Sequence, residues 1–252
     1  MPDSRFVVEE VAAGTWRIDD GVANFYLRKD GASGVLIDAG CRGSARGLAT
    51  ALRLSGLRVE DIAAVLLTHA HIDHVGVADR VRKRADAPVY LAPGDEPMSR
   101  CRNGGRLRGI VTLFGLDWGL KTGWSLLRGH CLPYPRLAST TGIADGEVLD
   151  LPGKPRVLAL PGHTAGSVAF LFEDSSTLFT GDALTTHTLE DGSVGCSAVS
   201  PEYDEDPLQS LQSLERLDSV QAGLILPGHG PDFTGGVDRA TVLARAAAAR
   251  QE

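Results

Sequence analysis

The sequence predicts an α/β layered fold in which helices cover packed sheets, and three features carry that reading. Short apolar runs recur and stop abruptly, as buried strands do: Val35-Leu36-Ile37 ends at Asp38, Ile62–Leu67 before Thr68, and Leu224–Leu226 before Pro227-Gly228. Between such runs lie stretches with apolar residues at helical spacing, among them Ser44–Leu54 and Val237–Arg250. The 30 glycines and 13 prolines supply many tight turns between short elements, and an apolar share of 43 % is enough for a sizeable core. Strands dominating both halves, with helices interrupting them, is the pattern of layered α/β proteins.

Taken in order, residues 5–38 read as strands, with turns at Asp19-Asp20-Gly21 and Asp30-Gly31. Ser44–Leu54 follows as a helix that Gly56 can stop, because glycine takes the left-handed backbone of a helix C-terminus at no steric cost. Ile62–Leu67 is the next strand. Val75–Arg84 reads as a helix with Arg80, Arg82, Lys83 and Arg84 outward, and Pro88–Leu91 returns to strand. Strands are then expected at Arg156–Leu160, Ser167–Phe172, Thr177–Phe179 and Gln221–Leu226. Asp206-Pro207-Leu208-Gln209 is a helix start, with Asp as cap, Pro at the first helical position and Gln at the third. Val237–Arg250 closes the chain as a helix.

Residues 94–147 break this alternation. They hold Phe114, Trp118, Trp124 and Tyr134, and between 100 and 136 they carry Arg100, Arg102, Arg106, Arg108, Lys121, Arg128 and Arg136 against the single acid Asp117. We read the chain as one domain, 1–252, with this segment inserted into it.

Composition excludes several classes. The formal charge, 25 − 32 = −7, repels phosphate backbones, so nucleic acid is not an expected partner. No apolar stretch approaches the ~18–20 residues that span a bilayer, so no membrane partner is expected either. The start, Met1-Pro2-Asp3-Ser4-Arg5 followed by Glu9 and Glu10, lacks the apolar core of a signal peptide, which points to the cytoplasm. Cys41, Cys101, Cys131 and Cys196 form no C-x-x-C pair and are expected as free thiols in a reducing compartment. No G-x-S-x-G elbow and no P-loop is present.

The seven histidines are the most informative residues. Thr68-His69-Ala70-His71-Ile72-Asp73-His74 packs three of them and a carboxylate into the loop between a strand and a helix. Two histidines one residue apart in extended chain point the same way and can share an ion. Three further sites each follow a strand end and adjoin a glycine: His163 in Pro161-Gly162-His163-Thr164, Asp182 in Thr180-Gly181-Asp182, and His229 in Pro227-Gly228-His229-Gly230. Imidazole nitrogens and carboxylate oxygens suit zinc, and also iron, manganese or cobalt.

The run His69-Ala70-His71-Ile72-Asp73-His74 resembles the H-x-H-x-D-H signature of the metallo-β-lactamase-fold superfamily. Asp38, His163, Asp182 and His229 match that family's remaining motifs in order, over residues 38 to 230. The resemblance implies an αββα sandwich with a dinuclear metal site at one edge. It implies His69, His71 and His163 on a first ion and Asp73, His74 and His229 on a second. Asp182 is then shared by both, and Asp38 steadies the ligand loop from behind. Two Zn²⁺ ions are the expected cofactors, with iron or manganese fitting the same ligands. Water on such ions loses a proton near neutral pH and becomes the nucleophile, oriented by Asp73, the expected catalytic residue.

Within the family the ligands narrow the choice. His71 departs from the H-x-E-x-D pattern of the flavodiiron reductases. Asp182 departs from the cysteine or serine of true zinc β-lactamases. The lactonases place a tyrosine three residues beyond the shared aspartate, where this chain has Thr185. Only 23 residues follow His229, so the helical glutathione-binding domain of glyoxalase II is not expected. The seven-ligand set resembles the glyoxalase II and lactonase branch most. The expected activity is hydrolysis of an ester, thioester or lactone of a small molecule. The alternatives are a mononuclear iron oxygenase of the persulfide dioxygenase type, or a phosphodiesterase or β-lactamase of the same fold. Trp118 and Trp124 in the insert, as a lid over an acyl group, and His187, five residues past Asp182 on the same loop, are the expected substrate contacts.

Overall fold

A computed structural model of the chain describes residues 6–100, 131, 134–189, 191–199 and 201–250. Trp118, Trp124 and most of the basic cluster lie outside the described residues. The chain divides into two compact units, Met1–Tyr90 with Glu96–Thr141, and Leu91–Asp95 with Gly142–Glu252.

The first unit is built on a meander. Strands β1 (Val7–Ala12), β2 (Thr15–Asp19), β3 (Asn24–Asp30) and β4 (Ser33–Ile37) pair antiparallel in sequence order. Their apolar faces are sealed by Ile18, Phe25, Leu27, Leu36 and Ile37. Strands β5 (Ile62–Leu66) and β6 (Val89–Leu91) then add parallel to β4, and the two-residue β7 (Thr141–Gly142) completes the sheet order. Parallel neighbours need a crossover, and helices α1 (Ala45–Ser55) and α2 (Ala78–Ala85) supply them. Helix α1 buries Leu48, Ala51 and Leu52 and stops at Gly56, whose φ of 73° is the left-handed cap foreseen from sequence.

Helix α2 begins three residues later than the pattern Val75–Arg84 suggests. Val75-Gly76-Val77 is held instead against the chain after β4: Gly76 N donates to Gly40 O at 2.7 Å and Val77 N to Ala39 O at 3.1 Å. On the basic face of α2, Arg82 and Lys83 pair with Asp79 and Arg84 with Glu60.

Cys41 and Cys131 form a disulfide across 90 residues. This corrects the expectation of four free thiols and removes one ground for placing the chain in a reducing compartment. Sequence spacing cannot show such a pair, because it depends on which loops the fold brings together. Among the described cysteines Cys196 is free and buried, and burial pushes its thiol up to about 11.

In the second unit β8 (Arg156–Ala159), β9 (Val168–Phe172) and β10 (Thr177–Gly181) pair antiparallel, and β13 (Leu224–Pro227) adds parallel to β10. The unit's core gathers Leu160, Leu178, Leu214, Leu217, Ile225, Ala240 and Ala244. A hairpin not visible in the sequence pattern, β11 (Thr185–Thr188) with β12 (Val194–Ser197), follows the Asp182 turn. Its strands are short and rich in Thr, Ser and Gly, so they show no apolar alternation. Short helices α3 (Glu96–Ser99, of the first unit) and α4 (Pro207–Ser213) precede α5 (Val237–Ala248). Asp206 caps α4 as expected, accepting from Gln209 N at 3.0 Å. Among the described residues no helix is long and apolar enough to cross a membrane.

Candidate metal centre

The first unit presents four of the expected ligands on one loop. Strand β5 ends at Leu66, and the chain turns at once: His74 N donates to His71 O at 3.0 Å, which closes the Asp73 turn. The loop is pinned from beneath by Asp38, which is 2 % exposed. Its backbone sits at φ 57°, a left-handed angle that aspartate tolerates better than most residues. One carboxylate oxygen accepts from Thr68 N at 2.8 Å, and the other faces His74 Nδ1 at 3.0 Å. The Thr68 hydroxyl reaches the same carboxylate at 2.9 Å and lies 3.1 Å from His69 Nδ1.

These contacts decide which ring nitrogens face inward. A carboxylate only accepts, so His74 carries its proton on Nδ1 and presents Nε2. With Nδ1 of His69 against Thr68, its Nε2 lies 3.0 Å from His71 Nδ1. Two nitrogens bound to one tetrahedral ion at 2.0–2.1 Å stand about 3.3 Å apart, so this spacing suits a shared metal. His69 and His71 meet edge to face at 4.6 Å between ring centres. Asp73 Oδ2 stands 3.8 Å from His74 Nε2.

The loop also has a partner the sequence reading missed. Tyr134 Oη donates to the carbonyl of Ala70, between His69 and His71, at 2.5 Å. No local signal marks Tyr134, which lies 64 residues away along the chain.

The second unit presents the other three ligands. Asp182 Oδ2 lies 3.5 Å from His163 Nε2 and 3.2 Å from His229 Nε2. One carboxylate oxygen thus faces two imidazoles. Each ligand follows a strand end: His163 after β8, Asp182 after β10 and His229 after β13. Two of the glycines beside them, Gly162 and Gly230, are required by contact. A Cβ on Gly162, at φ 137°, would overlap the backbone of Ser210, and one on Gly230, at φ 92°, would overlap the carbonyl of Thr186.

Two further acids of this unit were not foreseen. Asp95, fully buried, accepts from Gly166 N at 2.8 Å and from the Thr164 hydroxyl at 2.9 Å, so it fixes the loop carrying His163. Asp204 accepts from His163 Nδ1 at 2.9 Å. Asp204-Glu205-Asp206 reads in the sequence only as a helix cap with acidic neighbours.

His187 stands on β11, opposite Gly195, with its side chain exposed, and not on a loop shared with Asp182 as the sequence reading has it. Trp118 and Trp124 fall outside the described residues.

Histidine and aspartate side chains of the kind that hold metal stand at strand ends of this mixed α/β fold. The chain belongs to the metallo-beta-lactamase superfamily, whose profile matches residues 18–229. Among curated relatives, the probable metallo-hydrolase YqgX of Bacillus subtilis is 31 % identical over 169 residues, 67 % of this chain and 69 % of that protein. The atrochrysone carboxyl ACP thioesterase of Aspergillus fumigatus is 28 % identical over 82 % of this chain and 50 % of its own length.

Among solved structures, a metallo-beta-lactamase family protein from Thermus thermophilus superimposes with a TM-score of 0.69 at 27 % identity, covering 96 % of this chain and 81 % of that one. The protein TTHA1623, solved in a di-iron-bound form, gives a TM-score of 0.59 at 31 % identity, covering 88 % of this chain and 93 % of that one. The fold class is therefore that of the metallo-β-lactamases, as the sequence motifs imply.

Proposed function

We propose that the chain hydrolyses an acyl bond of a small molecule, an ester, thioester or lactone, with two metal ions. In this reading the two units act as a single domain. His69, His71 and His163 would hold one ion and Asp73, His74 and His229 the other, with Asp182 available to both. The observation that carries the reading is the single oxygen of Asp182 facing His163 and His229, a carboxylate placed to be shared. Zinc is the ion we assign, and iron or manganese suits the same donors.

When bound, the ions acidify a water near neutral pH and polarise the attacked carbonyl. The chain's own groups do the remaining work. Asp38 and Asp204 hold the protons on Nδ1 of His74 and His163, which keeps those rings oriented for a cation. Asp73 accepts a hydrogen bond from the attacking water and aims it. No serine or cysteine nucleophile is required. Trp118, Trp124 and His187 are assigned to the substrate.

An acyl substrate is favoured over a phosphodiester by the net charge of −7, and the similarity to a thioesterase supports it. The test is a panel of aryl esters, acyl thioesters, lactones, β-lactams and phosphodiesters, presented to zinc-loaded and iron-loaded enzyme. Acyl cleavage that disappears in Asp73→Asn is expected. Dominant phosphodiester or β-lactam cleavage, or oxygen uptake with a persulfide on a single iron, overturns the proposal.

A further inference from the structure

We propose that Asp204 is a positioning residue that fixes the proton and the orientation of the His163 imidazole and thereby sets how tightly one metal ion is held. The inference rests on the metal-site reading above. It starts from a pair of side chains that are both sealed from solvent, His163 at 3 % and Asp204 at 2 % exposure. Asp204 Oδ1 stands 2.9 Å from His163 Nδ1. A carboxylate has no proton to give, so Nδ1 donates to Asp204, and Nε2, on the side of Asp182, is the nitrogen left to meet a cation. The charge behind the ring also makes Nε2 a stronger donor to a cation.

The pair is not left to side-chain freedom. Glu205 N donates to His163 O at 3.2 Å and Asp206 N to Gly162 O at 2.9 Å. The main chain carrying the carboxylate is thus laced to the main chain carrying the imidazole. The three adjacent acids divide the work. Asp204 holds the ring, Glu205 accepts from Ala165 N at 3.3 Å, and Asp206 caps α4. The close approach of α4 at Ser210 is what forbids a side chain on Gly162. A whole turn and helix start therefore serve as a mount for one histidine. The first unit uses the same device at Asp38 and His74.

The experiment measures zinc affinity by competition with a chromophoric chelator, and the absorption spectrum of the cobalt-loaded protein, for wild type, Asp204→Ala, Asp204→Asn and Asp206→Ala. Wild type is expected to bind two equivalents. Asp204→Ala should weaken one equivalent by about 10–100-fold, leave the other in place, and change the cobalt spectrum. Asp204→Asn keeps an acceptor of the same size and should fall between wild type and the alanine variant. If the alanine variant does not fold, the asparagine variant carries the test. Asp206→Ala removes a helix cap and should lower thermal stability while weakening zinc far less than Asp204→Ala does; equal weakening by the two would overturn the assignment to Asp204. If wild type binds two ions and neither Asp204 variant loses affinity, the assignment to Asp204 is wrong. If wild type itself binds no metal, it is the metal-site reading that fails.

Discussion

Asp38 Oδ2 lies 3.0 Å from Nδ1 of His74, and the same carboxylate takes the backbone N–H and the hydroxyl of Thr68. One buried side chain, at the end of β4, thus sets the start and the end of the ligand loop that follows β5. Replacing it with alanine removes the acceptor of three buried donors and puts alanine at a left-handed φ. Asp38→Ala is expected to lose about 2–4 kcal/mol of unfolding free energy by urea denaturation, and metal content with it. Asp38→Asn, which tolerates the backbone angle and keeps an acceptor, should lose less. Equal stability of wild type and Asp38→Ala would refute this account.

Gly76 sits against the carbonyl of Cys41, where an added Cβ would overlap backbone atoms that no side-chain movement can clear. Its N–H also donates to Gly40 O at 2.7 Å. Gly76→Ala should therefore separate the loop carrying His74 from the chain after β4. The expected result is a fall in soluble yield and a loss of about 3 kcal/mol or more in stability. A variant that melts and binds metal like wild type would show that the loop relaxes freely.

The Cys41–Cys131 bridge closes a loop of 90 residues. Cross-links of that span restrict the unfolded chain and are typically worth about 2–4 kcal/mol. Non-reducing peptide mapping should recover a linked Cys41–Cys131 peptide. Cys131→Ser should melt several degrees lower than wild type under oxidising conditions, and the difference should vanish when both are reduced. Recovery of both cysteines in alkylated form from unreduced protein would exclude the bridge.

Cys196 is buried, and its thiol is pushed up to about 11. A raised thiol pKa keeps the group protonated, so the nucleophilic thiolate is scarce from pH 7 to 9. In a Cys101→Ser background, the folded protein should react with a thiol-selective reagent only on the timescale of unfolding, and denaturant should release one fast-reacting thiol. Rapid reaction of the native protein would contradict this burial.

Removing metal with a strong chelator should abolish hydrolysis without unfolding either unit's core. The sheets are closed by apolar side chains such as Phe25, Leu36, Phe170 and Ile225, which do not depend on an ion. Far-ultraviolet circular dichroism should stay near its starting shape, while activity returns on adding zinc. Collapse of the spectrum on chelation would show that the ligands also hold the fold.

Much of this protein was legible along the chain. Val35–Ile37, Ile62–Leu66 and Leu224–Leu226 announce buried strands because both of their faces are covered, so every residue is apolar. Gly56 and Asp206 announce helix ends because capping is a local affair of a few backbone groups. The ligand residues stand out because histidine is scarce and because strand ends are where a sheet can offer side chains to a cation. What the sequence could not show is which distant residues stand behind those ligands. Asp95, Asp204 and Tyr134 carry no local signature, and the Cys41–Cys131 bridge joins residues 90 apart. The β11–β12 hairpin lacks an apolar face to reveal it. Short-range periodicity and spacing therefore determined the strands, the caps and the candidate ligands of this chain. Only the tertiary structure decided which nitrogen His74 and His163 present, because that depends on a carboxylate oxygen brought up from 36 residues away at His74 and 41 at His163.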